Sequence, residues 1–269
     1  MTRQELVHQI RQKQSYLCIG LDSDIEKIPP HLNGDVLAFN KAIIEATKDF
    51  CVSYKVNTAF YESQGAEGWE NLMETFKMIP DTHFIIADAK RGDIGNTSNQ
   101  YAKAFFEKMN CDAVTVAPYM GKDSLQSFLN YKNKWTIVLG LTSNKGAENF
   151  ELQELANGKK LYEEVIGQIS TWGSDENLMF VTGATQATHL GDLRKMIPNH
   201  FLLIPGVGKQ GGNLKAISDV AMNEEVGILV NSSRAIIFAS QDKNFAEAAA
   251  YQAKKVAEEM KEIMSSRNS

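Results

Sequence analysis

Eight short apolar runs alternate with longer amphipathic stretches along the 269 residues. They are Tyr16–Leu21, Cys51–Val56, His83–Ala87, Ala113–Val116, Trp135–Leu139, Leu178–Val181, Phe201–Ile204 and Gly227–Val230. Their shortness, and their flanks of Gly, Pro, Asp and Asn, favour buried parallel strands over helix fragments. Between them, segments such as DVLAFNKAIIEATKDF, NQYAKAFFEKMN, KKLYEEVIGQISTW and THLGDLRKMI repeat apolar residues every third or fourth position, the mark of amphipathic helices. AEAAAYQAKKVAEEMKEIM reads as a long last helix. Strand and helix alternating in this way over about 250 residues leaves two α/β architectures, a closed (β/α)8 barrel and a doubly wound open sheet. No low-complexity segment or Pro/Ser-rich linker marks a boundary, so one domain over residues 1–269 is expected. The least regular stretch, Thr142–Gly158, reads as a long loop after the fifth strand, and long loops after barrel strands are where sites are built.

Composition narrows the partners. A formal net charge of −5 argues against nucleic acid or an anionic membrane surface, while leaving room for a small anion in a local basic pocket. The N-terminal MTRQELVHQIRQKQ is too polar for a signal peptide, and no apolar run approaches the ~20 residues of a membrane span. Cys18, Cys51 and Cys111 each sit in a strand-like run without zinc-ligand spacing, as expected of buried, reduced thiols in a cytoplasmic protein. The five histidines lie outside the motifs below, and most are expected on helix or loop surfaces. No Gly-x-Ser-x-Gly elbow is present.

The sharpest segment is FIIADAKRGDIGNTS, residues 84–98, where an apolar strand runs straight into charges. Asp88 and Lys90 are two apart, so on a strand they point the same way, at the C-terminal mouth where barrel sites form. Asp93 follows at the start of the next helix, where it or Asn96 could serve as an ordinary cap. A strand end that aims a carboxylate and an ammonium inward costs desolvation, which points to a use beyond packing. Lys55 ends the second strand in VSYKVN and extends the array; by itself it would read as a snorkelling lysine. Asp22 ends the first strand in CIGLD.

The far end of the chain reads as an anion grip. FLLIPGVGKQGG places Gly206, Gly208, Gly211 and Gly212 after the seventh strand, where bare backbone N–H groups can approach a phosphate. GILVNSSRAI then puts Ser232, Ser233 and Arg234 after the eighth. Loops seven and eight form the recurring phosphate site of such barrels, and a guanidinium fork matches a phosphate dianion. Residues 206–211 also spell G-x-G-x-x-G. That pattern signals a dinucleotide site only after a first strand and with an acid about 20 residues on; here the next strand ends in Val230-Asn231.

Taken together, DAKRGDIGNT, LCIGLD, VSYKVN, VTGATQA, PGVGKQGG and SSRAI, in this order across nearly the whole chain, resemble the orotidine 5′-phosphate decarboxylase family, in particular its longer branch. The resemblance implies a (β/α)8 (TIM) barrel that converts orotidine 5′-phosphate to uridine 5′-phosphate, the last step of pyrimidine nucleotide synthesis, with no cofactor or metal. It implies Lys55, Asp88, Lys90 and Asp93 as the catalytic array. It further implies Asp22 at the ribose, Ser143 at the pyrimidine amide, and Gln210, Ser233 and Arg234 at the phosphate. Asp93 and Thr97 would reach into the neighbouring subunit's site, which implies a homodimer. Two positions depart from the family pattern: Gly95 stands where many members have proline, and Ser233 where the shorter branch has glycine.

Two other readings stand beside it. Hexulose-phosphate synthases and ketogulonate-phosphate decarboxylases share the Asp-x-Lys-x-x-Asp strand end but bind Mg2+ with an extra acid after the second strand, where this chain has Glu62. A non-catalytic phosphosugar-binding barrel is the third, and it would be expected to have lost Lys90 or one of the acids.

Overall fold

The computed structural model describes residues 1–183, 187–206 and 212–267, without the side chains of residues 187 and 188. Eight strands form: β1 (Leu17–Gly20), β2 (Ser53–Asn57), β3 (Phe84–Arg91), β4 (Ala113–Val116), β5 (Trp135–Leu141), β6 (Leu178–Thr182), β7 (Phe201–Pro205) and β8 (Ile228–Ser232). All neighbours pair in parallel, and β1 pairs with β8, so the sheet closes into a barrel in strict chain order. That closure removes the open-sheet alternative. The expected helices also form, among them Val36–Thr47, Leu161–Ile169, Ala187–Met196 and Phe245–Arg267. No described helix is long and apolar enough to cross a membrane.

Register fixes which residues enter the barrel. Partners in a parallel pair share a face, so Gly20, Lys55 and Ile86 point the same way, as do Asn57 and Asp88. Low in the barrel, Phe84, Trp135 and Phe201 meet edge to face, with ring planes at 84° and 86°. Such contacts add about 0.5–1.5 kcal/mol each beyond burial and make a solid aromatic floor.

The N-terminal pole is sealed by polar groups. Thr2 and Glu5 form a capping box on the helix Arg3–Lys13, whose Leu6, Val7 and Ile10 are buried. Arg3 at one end bonds Asp175 O and Asn199 O at 2.6 and 2.7 Å; Lys13 at the other gives 2.8 Å bonds to Lys48 O and Cys51 O. His83 Nε2 lies 2.8 Å from both Lys13 Nζ and Lys48 O. His83 is therefore a buried residue of this seal, unlike the surface placement expected of most of the histidines; burial, then the Lys13 ammonium, push its pKa down to about 4. Arg194 donates to the carbonyls of Ile197, Pro198, His200, Ala221 and Gly227, tying together the entrances to β7 and β8. The three cysteines are buried and free, as expected, and burial holds Cys18 and Cys51 up at about 12.

Candidate active site

At the opposite pole β3 runs four residues beyond its apolar run, to Arg91. The extension follows from a break in its pairing with β4. Ala87 faces Val114 and Arg91 faces Val116, so Asp88, Ala89 and Lys90 all stand opposite the single residue Thr115. The extra residues arch out of the ladder as a bulge, a device that re-aims side chains at barrel rims. Lys90 lies in the left-handed region, with φ 48°. For a residue with a Cβ this costs about 1–2 kcal/mol, so the surroundings must hold it there. Asp88 and Lys90 do converge, but through this bulge and not by the plain alternation of a regular strand.

The convergence is tight. Lys55 Nζ donates to Asp88 Oδ2 at 2.8 Å, and Lys90 Nζ donates to Asp88 Oδ1 at 2.6 Å. Asp22 Oδ1 lies 3.4 Å from Lys55 Nζ. Burial opposes ionisation of Asp88, but Lys55 and Lys90 outweigh it and hold the carboxyl at about 2. Burial likewise pushes the Lys55 ammonium down, and Asp88 with Asp22 more than reverse this, raising it above its ordinary range. The side chain of Lys55 is 6% exposed and that of Lys90 is 50% exposed. One ammonium is thus locked into the wall while the other stands at the mouth, available to a ligand.

Asp93 is half-buried, and its Oδ1 accepts from Ile94 N at 2.8 Å. The helix that follows, Gly95–Lys103, is capped by Ile94 without a side-chain bond, so neither Asp93 nor Asn96 serves as its cap. Among the described residues Asp93 joins no ion pair within its own chain, and Thr97 beside it is exposed. On the far side of the mouth, Ser233 packs against Gly20 across the β1–β8 seam, and Asn231 Nδ2 donates to its hydroxyl at 3.2 Å. Arg234 follows, exposed and without an ion pair among the described residues. Gly206 and Gly212 bracket the loop after β7, with a 3.1 Å bond from Gly212 N to Gly206 O. Gln210, Gly208 and Gly211 lie outside the described residues.

The loop after β5 folds back on its own root. Glu151 accepts from both Thr142 N (2.6 Å) and Thr142 Oγ1 (2.8 Å), and a short 3₁₀ turn spans Lys145–Asn149. Ser143 is exposed and lies against Gly183 at the end of β6, where any Cβ would come within 2.5 Å of it.

This arrangement has counterparts. Residues 15–249 match the profile of the Orotidine 5′-phosphate decarboxylase / HUMPS family. The chain belongs to that family. It is 52% identical to the orotidine 5′-phosphate decarboxylase of Phocaeicola vulgatus over 98% of this chain and 99% of that one. It is 53% identical to the orotidine 5′-phosphate decarboxylase of Flavobacterium johnsoniae over 99% and 100%. Among solved structures, the Leishmania donovani OMP decarboxylase superposes with a TM-score of 0.85 at 35% identity, covering 98% of both chains.

Seen as a member of the orotidine 5′-phosphate decarboxylase / HUMPS family, the chain contains site-shaping groups that its motifs do not reveal. Thr115 accepts from Lys90 N at 2.9 Å and gives a 3.0 Å bond to Asp88 Oδ1. Arg91 donates to Ala89 O at 3.0 Å, pairs with Glu62 after β2, and lies over the rings of Tyr101 and Phe105 at 5.4 and 5.5 Å. A threonine in AVTV reads as an ordinary β-branched strand residue, and Arg91 and Glu62 lie 29 apart, so neither announces itself in sequence.

Proposed function

We propose that this chain decarboxylates orotidine 5′-phosphate to uridine 5′-phosphate and CO2, without metal or cofactor. The observation that carries the reading is Asp88 held between a buried and an exposed ammonium at the mouth. Full-length relatives carrying that name support it. Loss of CO2 from C6 leaves a carbanion with no conventional electron sink, so the site must stabilise charge by fixed electrostatics. Lys90 stabilises the carbanion and delivers a proton to C6. Asp88 sits beside the departing carboxylate and keeps Lys90 charged. Lys55 orients Asp88 and, with Asp22, meets the ribose.

Ser143 contacts the pyrimidine amide; Gln210, Ser233 and Arg234 hold the phosphate, whose remote binding energy is spent on orientation and loop closure. The working unit is a homodimer of single-domain subunits in the cytoplasm, in which Asp93 and Thr97 complete the partner's site. The exposed apolar side chains of Ile94 (58%), next to Asp93, and of Tyr119 (97%) and Met120 (43%), the last packed near Gly92, support this, because an uncovered apolar group at one rim suits an interface.

The metal-dependent reading needs Glu62 as a ligand. That carboxylate is already engaged by the Arg91 guanidinium, which favours the metal-free alternative. The test is to mix the protein with orotidine 5′-phosphate in excess EDTA and follow the loss of the orotate ultraviolet absorbance. Rapid loss is expected; no loss, with turnover of a ketose phosphate only when Mg2+ is added, would transfer the array to the other chemistry.

A further inference from the structure

The β3 bulge raises a question of how it is held. Its three residues share a single partner on β4, although Asp88 keeps its pairing with Asn57 on β2, and Lys90 adopts a left-handed conformation inside it. Beyond the bulge the ladder resumes, with Ala117 N bonded to Arg91 O at 2.8 Å. The one β4 residue opposite the gap is Thr115, 1% exposed, and its hydroxyl takes the Lys90 backbone N–H that the ladder leaves free.

A hydroxyl has one proton and two lone pairs. Because the N–H of Lys90 occupies a lone pair of Thr115 Oγ1, the hydroxyl proton is free to point elsewhere, and the acceptor within reach is Asp88 Oδ1 at 3.0 Å. The same Oδ1 receives Lys90 Nζ at 2.6 Å, while Oδ2 receives Lys55. One hydroxyl therefore ties the backbone of the proposed proton donor to the carboxylate that its own ammonium grips, closing a ring through Lys90 N, Thr115 Oγ1, Asp88 Oδ1 and Lys90 Nζ.

We infer that Thr115 is a positioning residue for the reaction, setting the bulge so that the Lys90 ammonium and the Asp88 carboxylate meet the reacting carbon in one fixed geometry. It acts through its neighbours, being buried and bonded to Lys90 N and Asp88 Oδ1. Its structural role stands on the hydrogen bonds alone, and its kinetic role rests on the decarboxylase reading.

The experiment compares Thr115→Val, which keeps the branched shape and loses the hydroxyl, with Thr115→Ser, which keeps the hydroxyl. Leaving a buried donor and acceptor unpaired should lower kcat by about ten- to a hundredfold in Thr115→Val. KM for orotidine 5′-phosphate should stay within about threefold, because the phosphate grip is on the other side of the mouth. Thr115→Ser should recover kcat to within about fivefold. Independently of any substrate, hydrogen exchange at the Lys90 backbone amide should speed up at least about tenfold in Thr115→Val and not in Thr115→Ser. A Thr115→Val enzyme with unchanged kcat, or a Lys90 amide equally protected in both variants, overturns the inference. If Thr115→Val does not fold, Thr115→Ala gives the same comparison. A wild-type protein inactive on orotidine 5′-phosphate would sink the decarboxylase reading instead, and amide exchange would still decide what Thr115 holds.

Discussion

Adding one methyl group at Gly20 tests whether the β1–β8 seam sets the phosphate side of the site. A Cβ there would stand 1.9 Å from Ser233 Oγ and 2.9 Å from Ser233 Cβ. The hydroxyl can rotate away, but the Cβ cannot. Non-bonded carbons rest at about 3.5 Å or more, so Ser233 must retreat by roughly 0.6 Å. Arg234 is the next residue and would be carried with it. A misplacement of about 1 Å can cost about a hundredfold in rate, so this shift should cost on the order of tenfold in kcat/KM, or about 1.4 kcal/mol of barrier. Overpacking the seam should also lower stability by about 1–3 kcal/mol. The assay is steady-state decarboxylation of orotidine 5′-phosphate, beside urea unfolding of the same sample. The double variant Gly20→Ala/Ser233→Gly removes both clashing atoms and should return kcat/KM to within about threefold of wild type. Gly20→Ala at full activity, or a double variant no better than the single one while Ser233→Gly alone is active, would refute the seam argument.

Other substitutions probe the array and the seal. Lys90→Ala should abolish nearly all turnover while leaving uridine 5′-phosphate affinity within about tenfold; retained turnover would remove its role as proton donor. Arg234→Ala should lose about a hundredfold or more in kcat/KM for orotidine 5′-phosphate, yet leave turnover of the phosphate-free nucleoside unchanged, and equal losses on both would contradict a phosphate grip. In Lys55→Met the Asp88 carboxyl, now at about 2, loses a cation and its pKa should rise, so the acid limb of kcat/KM should move to higher pH; an unmoved limb argues against that coupling. His83, held at about 4 against an ordinary value near 6.5, stays neutral in the fold while the unfolded chain takes up a proton. Its stabilisation is full above about pH 6.5 and falls toward pH 4 by on the order of 3 kcal/mol. Urea unfolding across that range should show a shallower slope for His83→Asn, and an identical slope would count against the assignment.

The barrel was legible because its strands are buried on both faces and bounded by turn residues, so continuous apolar runs mark them; only the ends moved. The largest displacement, β3 extending to Arg91, occurs where charge replaces apolar residues and pairing is irregular. Lys55, Asp88 and Lys90 were legible as charges at the ends of apolar strands, but the bulge through which Asp88 and Lys90 converge was not. Closure itself was not, since a β1–β8 pair joins residues more than two hundred apart and leaves no local pattern. The role of His83 at the head of its strand was not legible, because its place in the seal depends on Lys13, far away in sequence. Thr115 escaped notice for a similar reason: its importance lies in a gap in another strand.

Arg194 gives the two ends of the barrel different mechanical compliance. Its fork fastens five carbonyls from the entrances of β7 and β8 without a carboxylate partner among the described residues, a task no lysine could take over. The rim it fastens cannot breathe without breaking several bonds together. The opposite rim carries the groups proposed to meet substrate. Any closure over substrate would therefore be confined to the opposite end of the molecule, with this one acting as a fixed chassis. Substitutions that loosen Arg194 would then be felt as a shorter thermal lifetime of the enzyme, while substrate discrimination stays as it was.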